Sequence, residues 1–374
     1  MSSEFIPVNT PLFGKVEENY VLDCIRTGWI SSEGEYVNRF ESGVARALGR
    51  TYGIAVANGS VAIDVAIAAL GIGPGDEVIM PTFTIISCAS AIVRAGAIPV
   101  LVDSDPHTWN MDTNQIESRI TAKTRAIMVV HIYGLPVDMS PVQEIAEKFG
   151  LFIIEDAAEM IGQTYKGKQC GSFGQISTLS FYPNKHITTG EGGMVLVDND
   201  SLSERCKSLR NLCFKANPRF VHDELGWNFR MTNLQAAVGV AQLERLDETV
   251  ARKREIGDLY NNLLCDIGGI QLPLPNTDYA KNIYWVYGIV IKAEYGELLA
   301  SDIMSKLAKN RVGTRPFFWP MHEQPVFQKL GLFKGETYPV AEYIARKGFY
   351  LPSGVALTQS QIESVSKAMH EVFS

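Results

Sequence analysis

Residues 151–159 read LFIIEDAAE. Four apolar side chains run straight into two adjacent carboxylates, Glu155 and Asp156. A run this apolar has no wet face, so it predicts a strand covered on both sides, as in a parallel α/β sheet. A carboxylate at the end of such a strand needs a partner, because unpaired burial is costly. A cationic ring nitrogen would serve, and so would a helix cap or a buried salt bridge. The residues alone leave these open.

The same alternation extends on either side. YGIAVA (52–57) precedes the helical SVAIDVAIAALG (60–71), and DEVIMP (76–81) precedes TIISCASAIVRAG (84–96). IPVLVD (98–103) leads to DTNQIESRI (112–120), read as a helix, and RAIMVVHIYG (125–134) precedes SPVQEIAEKFG (140–150). Strand after helix after strand predicts a mainly parallel sheet flanked by helices. Beyond about residue 245 the character changes. RLDETVARKREIGDLYNNLLCDI (245–267) reads as one long amphipathic helix, NIYWVYGIVI (282–291) as an antiparallel strand, and GELLASDIMSKLAKNRV (296–312) and TQSQIESVSKAMHEVF (358–373) as helices. The expected division is a large α/β domain over 1–248, with its N-terminal segment, and a smaller C-terminal α+β domain over 249–374. A chain of 374 residues exceeds the size at which one core stops growing.

Composition narrows the function classes. Apolar residues make up 46% and charged residues 20%, with a net charge of -7. That acidity disfavours a broad nucleic-acid surface while leaving room for a small basic pocket. No stretch approaches 18 apolar residues, so no membrane partner is expected. The N-terminal MSSEFIPVNTPLFGK lacks a basic segment followed by an apolar core, so no signal peptide is expected either. The six cysteines are scattered without a CxxC pair, and Cys206 and Cys213 stand seven apart. Free thiols in the cytoplasm, with no metal site, fit this pattern best.

Two further stretches carry chemistry. ANGS (57–60) ends one strand and opens a helix. Gly59 permits close backbone approach and Ser60 adds a hydroxyl at a helix N-terminus, which makes either an anion site or a plain cap. SFYPNKHITTGEGGMV (180–195) sets Ser180 five residues before Lys185, with His186 beside it and glycines beyond. A lone lysine in such a loop is usually a solvated cation. An anion loop, a strand-end aspartate and a lysine in that order overturn this, because a desolvated lysine can condense with a carbonyl compound.

With these segments in place, the chain resembles the sugar aminotransferases of the DegT/DnrJ/EryC1/StrS family. The resemblance spans nearly the whole chain, from GWISSEGEYVNRFE (28–41) through GIGPGDEVIMPTFT (71–84), VDSDPHTWNMD (102–112), EDAAE and the lysine loop. It continues into GWNFRMTNLQAAVGVAQLERLD (226–247) and GTRPFFWPMH (313–322). The resemblance implies a type I, aspartate aminotransferase-like fold with pyridoxal 5′-phosphate as cofactor, alternating with its amino form. Lys185 would bind the cofactor covalently and carry the proton, and Asp156 would pair with its ring nitrogen. Ile85 and Ala158 would lie against the ring, Ile85 where relatives commonly carry an aromatic residue. Gly59, Ser60 and Ser180 would hold the phosphate. Asn228 would reach the phosphate in a second copy, making a homodimer with shared active sites. Glu159, Arg315 and His322 would face the substrate.

The resemblance further implies amino transfer from L-glutamate, releasing 2-oxoglutarate, to the C4 keto group of a nucleotide-linked 4-keto-6-deoxy sugar for surface glycans such as O-antigen or capsule. Within the family the chain looks most like members acting on GDP-linked sugars, although the segment NLCFKANPRF (211–220) departs from theirs. A UDP- or dTDP-linked keto sugar, or a small ketone such as a ketose phosphate, is the alternative substrate. Relatives that instead remove a 3-hydroxyl carry histidine where this chain has Lys185, which disfavours a dehydratase. His186 is then read as a structural neighbour. A catalytically silent cofactor-binding regulator is the remaining alternative, disfavoured by the complete lysine, aspartate and serine set.

Overall fold

The computed structural model describes residues 4–215, 217–218 and 220–373. The first strands and helices alternate as the apolar runs predict: β1 (Tyr52–Val56), β2 (Glu77–Pro81), β3 (Ile98–Val102), β4 (Thr124–Val130) and β5 (Phe152–Asp156), then a short hairpin of β6 (Thr164–Tyr165) and β7 (Lys168–Gln169), then β8 (Ile176–Ser180) and β9 (Gly193–Val197). The main helices of this half are α1 (Lys15–Thr27), α2 (Glu35–Leu48), α3 (Gly59–Ala69), α4 (Ile86–Arg94), α5 (Met139–Phe149), α6 (Asp200–Arg210) and α7 (Asn233–Leu243). Seven strands form one sheet in the order β1-β9-β8-β5-β4-β2-β3. All run the same way except β9, which is antiparallel to both β1 and β8.

Period-2 alternation divides the core between the two faces of this sheet. Ile54, Met80, Met128, Ile154 and Val195 pack on one face, and Ala55, Ile79, Val129, Ile153 and Met194 on the other. Adjacent Glu155 and Asp156 are therefore sent to opposite sides, each fully or almost fully buried. DTNQIESRI departs from expectation. It forms two 3-10 turns, Thr113–Gln115 and Glu117–Arg119, rather than a helix. Asp112 accepts from the Asn114 amide at 3.1 Å, and Ile116 is the only fully buried anchor of the segment, too little for a longer helix.

The remainder contains α8 (Leu246–Leu264), β10 (Ile270–Gln271), β11 (Tyr287–Ile291), α9 (Ala300–Lys309), β12 (Arg315–Pro316), α10 (Pro325–Lys329), α11 (Pro339–Lys347), β13 (Gly348–Leu351) and α12 (Gln359–Phe373). Its four strands pair in the order β10-β11-β13-β12. A separate core joins Tyr260 and Leu264 of α8 to Tyr287, Ile303, Leu351 and Ile362. Helix α8 runs through residue 248 without a break, and Phe317, Phe327, Tyr338 and Ile344 pack into the core of the seven-stranded sheet. The strand expected over 282–291 starts only at Tyr287. Tyr284 adopts φ 47°, and the Asn282 side chain accepts the Tyr284 amide at 2.6 Å, which kinks the chain just before the strand.

Candidate active site

The carboxyl ends of β1, β5 and β8 and the turn after β2 open onto one cavity of about 700 Å³. Helix α3 begins at its wall. The Asn58 side chain caps the helix by accepting the Val61 amide at 3.0 Å, which leaves the Gly59 and Ser60 end facing the cavity. Gly59 is required by contact: a Cβ there would sit 2.7 Å from the Ser180 Cβ. That close approach sets the Ser180 side chain beside the helix start. Ser60 Oγ meets Ser87 Oγ at 2.7 Å on the same wall. Three hydroxyls and a helix N-terminus suit a phosphate dianion, and the Asp64 carboxylate farther along α3 is paired with Arg94 at 2.6 Å.

Asp156 lies on the cavity wall at the end of β5. Its Oδ1 accepts the Ala158 amide at 3.0 Å and the Thr178 hydroxyl at 3.4 Å, and its Oδ2 accepts the Cys88 thiol at 3.3 Å. Burial pushes its pKa up, while the Ala158 amide, the Cys88 thiol and the Lys185 charge oppose that rise. Among the described residues no cation comes within ion-pair distance of it. A carboxylate so placed fits a protonated ring nitrogen. Glu155 has the opposite environment. It accepts from the Gly171 and Phe173 amides at 2.6 and 2.7 Å, from Ser177 at 3.1 Å and from His131 Nε2 at 3.1 Å. The Val137 amide donates to His131 Nδ1 at 3.0 Å, so a neutral ring must carry its hydrogen on Nε2. This network is structural and leaves Glu155 out of the cavity.

Lys185 enters from the opposite wall, held by a turn in which its amide donates to the Tyr182 carbonyl at 2.9 Å. Its side chain is only 10% exposed, with Nζ 3.8 Å from Glu159 Oε1. Burial lowers its pKa against the pull of Glu159 and Asp156. Burial also raises Glu159, to about 8, although Lys185 and the Tyr133 amide at 2.8 Å oppose this. In both groups burial disfavours the charged form, while each one's charge favours the other's. His186 points away. Its Nε2 meets the Ile283 carbonyl at 3.4 Å, and burial, with Lys253 nearby, holds its pKa down to about 3.

The sequence-derived set is thus gathered in part. Gly59, Ser60, Ile85, Asp156, Ala158, Glu159, Ser180 and Lys185 line the one cavity. Ile85 is 42% exposed at the start of α4, and the aromatic Phe83 is fully buried behind it. Arg315 lies instead in a neighbouring groove of about 1220 Å³, whose wall shares Tyr182, Asn184 and Tyr350 with the cavity. His322 is not brought to either space. It is buried between Thr82 Oγ1 at 2.8 Å and Glu342 Oε1 at 3.0 Å, with both ring nitrogens occupied. Asn228 is exposed on the surface, bridged to Asn211, and outside this chain's cavity. Sequence reasoning passed over Trp285, Cys88, Thr178 and Tyr133. The only signal for His131 was its place at the end of the apolar strand RAIMVV, next to the strand ending in Asp156.

Fold and site together define a type I, aspartate aminotransferase-like protein, with a buried lysine and a strand-end aspartate on one cavity. The DegT/DnrJ/EryC1/StrS aminotransferase family matches residues 12–370. The chain is 41% identical over 372 residues to GDP-perosamine synthase of Escherichia coli O157:H7, covering 99% of both chains. It is 40% identical over 371 residues to GDP-perosamine synthase of Caulobacter vibrioides, covering 98% of both. The solved aminotransferase from Psychrobacter cryohalolentis superposes with a TM-score of 0.92 at 28% identity, over 99% of this chain and 98% of that one. The chain belongs to the DegT/DnrJ/EryC1/StrS aminotransferase family.

Proposed function

We propose that the protein is a pyridoxal 5′-phosphate-dependent aminotransferase that moves the amino group of L-glutamate to C4 of a GDP-linked 4-keto-6-deoxy sugar. What carries this reading is Lys185, buried beside Glu159 on the cavity that Asp156 and the α3 N-terminus also line. The GDP assignment is supported by the likeness to two GDP-perosamine synthases over almost the full chain. The aminated sugar would be used for surface glycans, and the enzyme would work in the cytoplasm.

Each residue has a share in this reaction. The Gly59 and Ser60 end of α3, with Ser180, holds the cofactor phosphate. Asp156 keeps a positive charge on the ring nitrogen, and its other partners keep the carboxylate aimed. Ile85 and Ala158 bound the ring. When bound, the cofactor would supply an electron sink for loss of a proton from the amino-bearing carbon. Lys185 Nζ holds the cofactor, then takes that proton and returns it, and Glu159 tunes its basicity. Arg315 faces the nucleotide in the neighbouring groove. His322, with both nitrogens bonded, keeps the 313–322 segment in place. A second copy would bring Asn228 to the phosphate, which makes the working unit a homodimer.

Two measurements test this. Glutamate added to the loaded enzyme should shift the cofactor's visible absorbance to the near ultraviolet, and Lys185→Ala should abolish the shift. A loaded enzyme that shows no shift sinks the reading. A panel of GDP-, UDP- and dTDP-linked 4-keto sugars, read by product mass, should give an aminated product with the GDP sugar. Product only from another nucleotide overturns that assignment.

A further inference from the structure

Trp285 has no part in the functions above, yet Lys185 Nζ lies 3.8 Å from the centroid of its ring. The indole is buried and fixed on several sides. Its Nε1 donates to the Asn184 carbonyl at 2.9 Å, one residue before the lysine. Its own carbonyl accepts from Lys253 Nζ at 2.8 Å, and Lys253 donates a second bond to the Ser353 carbonyl at 2.6 Å. Tyr133 stacks beside it, with ring centroids 5.9 Å apart and planes 24° apart. The kink at Tyr284 turns the residue out of the strand and into the cavity wall. A buried amine, a buried indole face, a hydrogen bond that holds the indole nitrogen and another that holds the residue's backbone are more than filling requires.

We propose that Trp285 is a positioning residue: its π-face is the resting place of the Lys185 ammonium whenever that amine is not bonded to a carbonyl ligand. A cation within 6 Å of an indole face is stabilised, most strongly where water is excluded. Lys185 must leave and regain its bond in each turnover, and a fixed platform keeps the free amine within reach rather than letting it fold onto Glu159 alone. The inference rests on Lys185 being the reactive amine. The charged and titratable groups around its nitrogen are Asp156 at the end of β5, Glu159 just beyond it and Cys88 on α4; His186 on the same loop points away but feels its charge, as it does that of Lys253, and Tyr350 lies near Glu159. Burial lowers the basicity of Lys185 and the two carboxylates raise it. The indole adds to the cationic side.

The test uses the full chain freed of cofactor. Competitive labelling of amines with acetic anhydride across pH, read on the Lys185 peptide by mass spectrometry, gives the midpoint for that one lysine. Trp285→Leu should move the midpoint down by about one pH unit, and Trp285→Phe should restore most of it. Fluorinated tryptophans, which weaken the ring quadrupole at nearly constant shape, should lower it stepwise. Lys185 lies over no tryptophan but Trp285 among the described residues. A midpoint unchanged in the Leu variant overturns the proposal. If that variant does not fold, a midpoint that stays flat across the fluorinated series overturns it. The readout needs no turnover, so it stands apart from any failure of glutamate to react.

Discussion

Asp156 and Glu155 are neighbours with unrelated tasks, and the difference comes from strand geometry. Successive side chains on β5 point to opposite faces, so only Asp156 reaches the cavity. Asp156→Asn removes the charge but keeps the size. Turnover should fall roughly 10²–10³-fold with cofactor still bound, as expected when fixed charge stabilisation is lost; steady-state kinetics with bound-cofactor absorbance checks both. His186 gives a pH prediction. Its pKa falls from 6.5 to about 3 on folding, so the unfolded chain binds the extra proton between those values. Folded stability should therefore drop as pH falls from about 6.5 towards 3. His186→Gln should flatten that drop in denaturant titrations while leaving turnover near the parent value. Lysine, aspartate and serine were legible because they stand at strand ends or in a glycine-rich loop. Trp285 was not, because its place depends on a positive-φ kink inside what reads as an unbroken strand, YWVYGIVI.

At the scale of elements, the cavity depends on close packing between pieces distant in sequence. The start of α3 and the end of β8 touch through Gly59 and Ser180, and β9 crosses so closely that a Cβ on Gly193 would lie 2.4 Å from the Asn58 carbonyl oxygen. Gly59→Ala should push helix and strand apart, costing about 1–3 kcal/mol in unfolding free energy. It should also weaken cofactor binding at least tenfold, read by equilibrium dialysis. Glu155 anchors the loop between β5 and β8, where Arg50 also bonds the Gly171 and Phe173 carbonyls and Ser177. Glu155→Gln would turn an amide donor toward two backbone donors, and about 3 kcal/mol of stability should be lost. The parallel order was legible from apolar runs. The antiparallel direction of β9 was not, since GGMVLVD reads alike in either direction. The absence of a helix over 112–120 follows from short polar side chains that bond their own backbone, a choice composition leaves open.

Across the whole molecule, α8 ties the two sheets together, and its Lys253 is a buried cation with no carboxylate partner among the described residues. Burial lowers its pKa from 10.5 to about 7. The unfolded chain then binds more protons between those values, so stability should rise as pH climbs from about 7 toward 10.5. In Lys253→Met that rise should vanish from urea midpoints measured across the range. Phe13, Trp29 and Leu225 are exposed on the single chain, and the proposed homodimer predicts that a second copy covers apolar side chains such as these. Sedimentation should give twice the chain mass. No described helix is long and apolar enough to cross a membrane. The shared wall of Tyr182, Asn184 and Tyr350 has a last consequence. If, as proposed, the amino donor and the keto acceptor both reach Lys185 past this wall, they must take turns there. Each should then act as a competitive inhibitor of the other's half-reaction when in excess, bending reciprocal plots upward at high concentration of either. The balance of glutamate to keto sugar, rather than the level of one, would then govern flux through the enzyme.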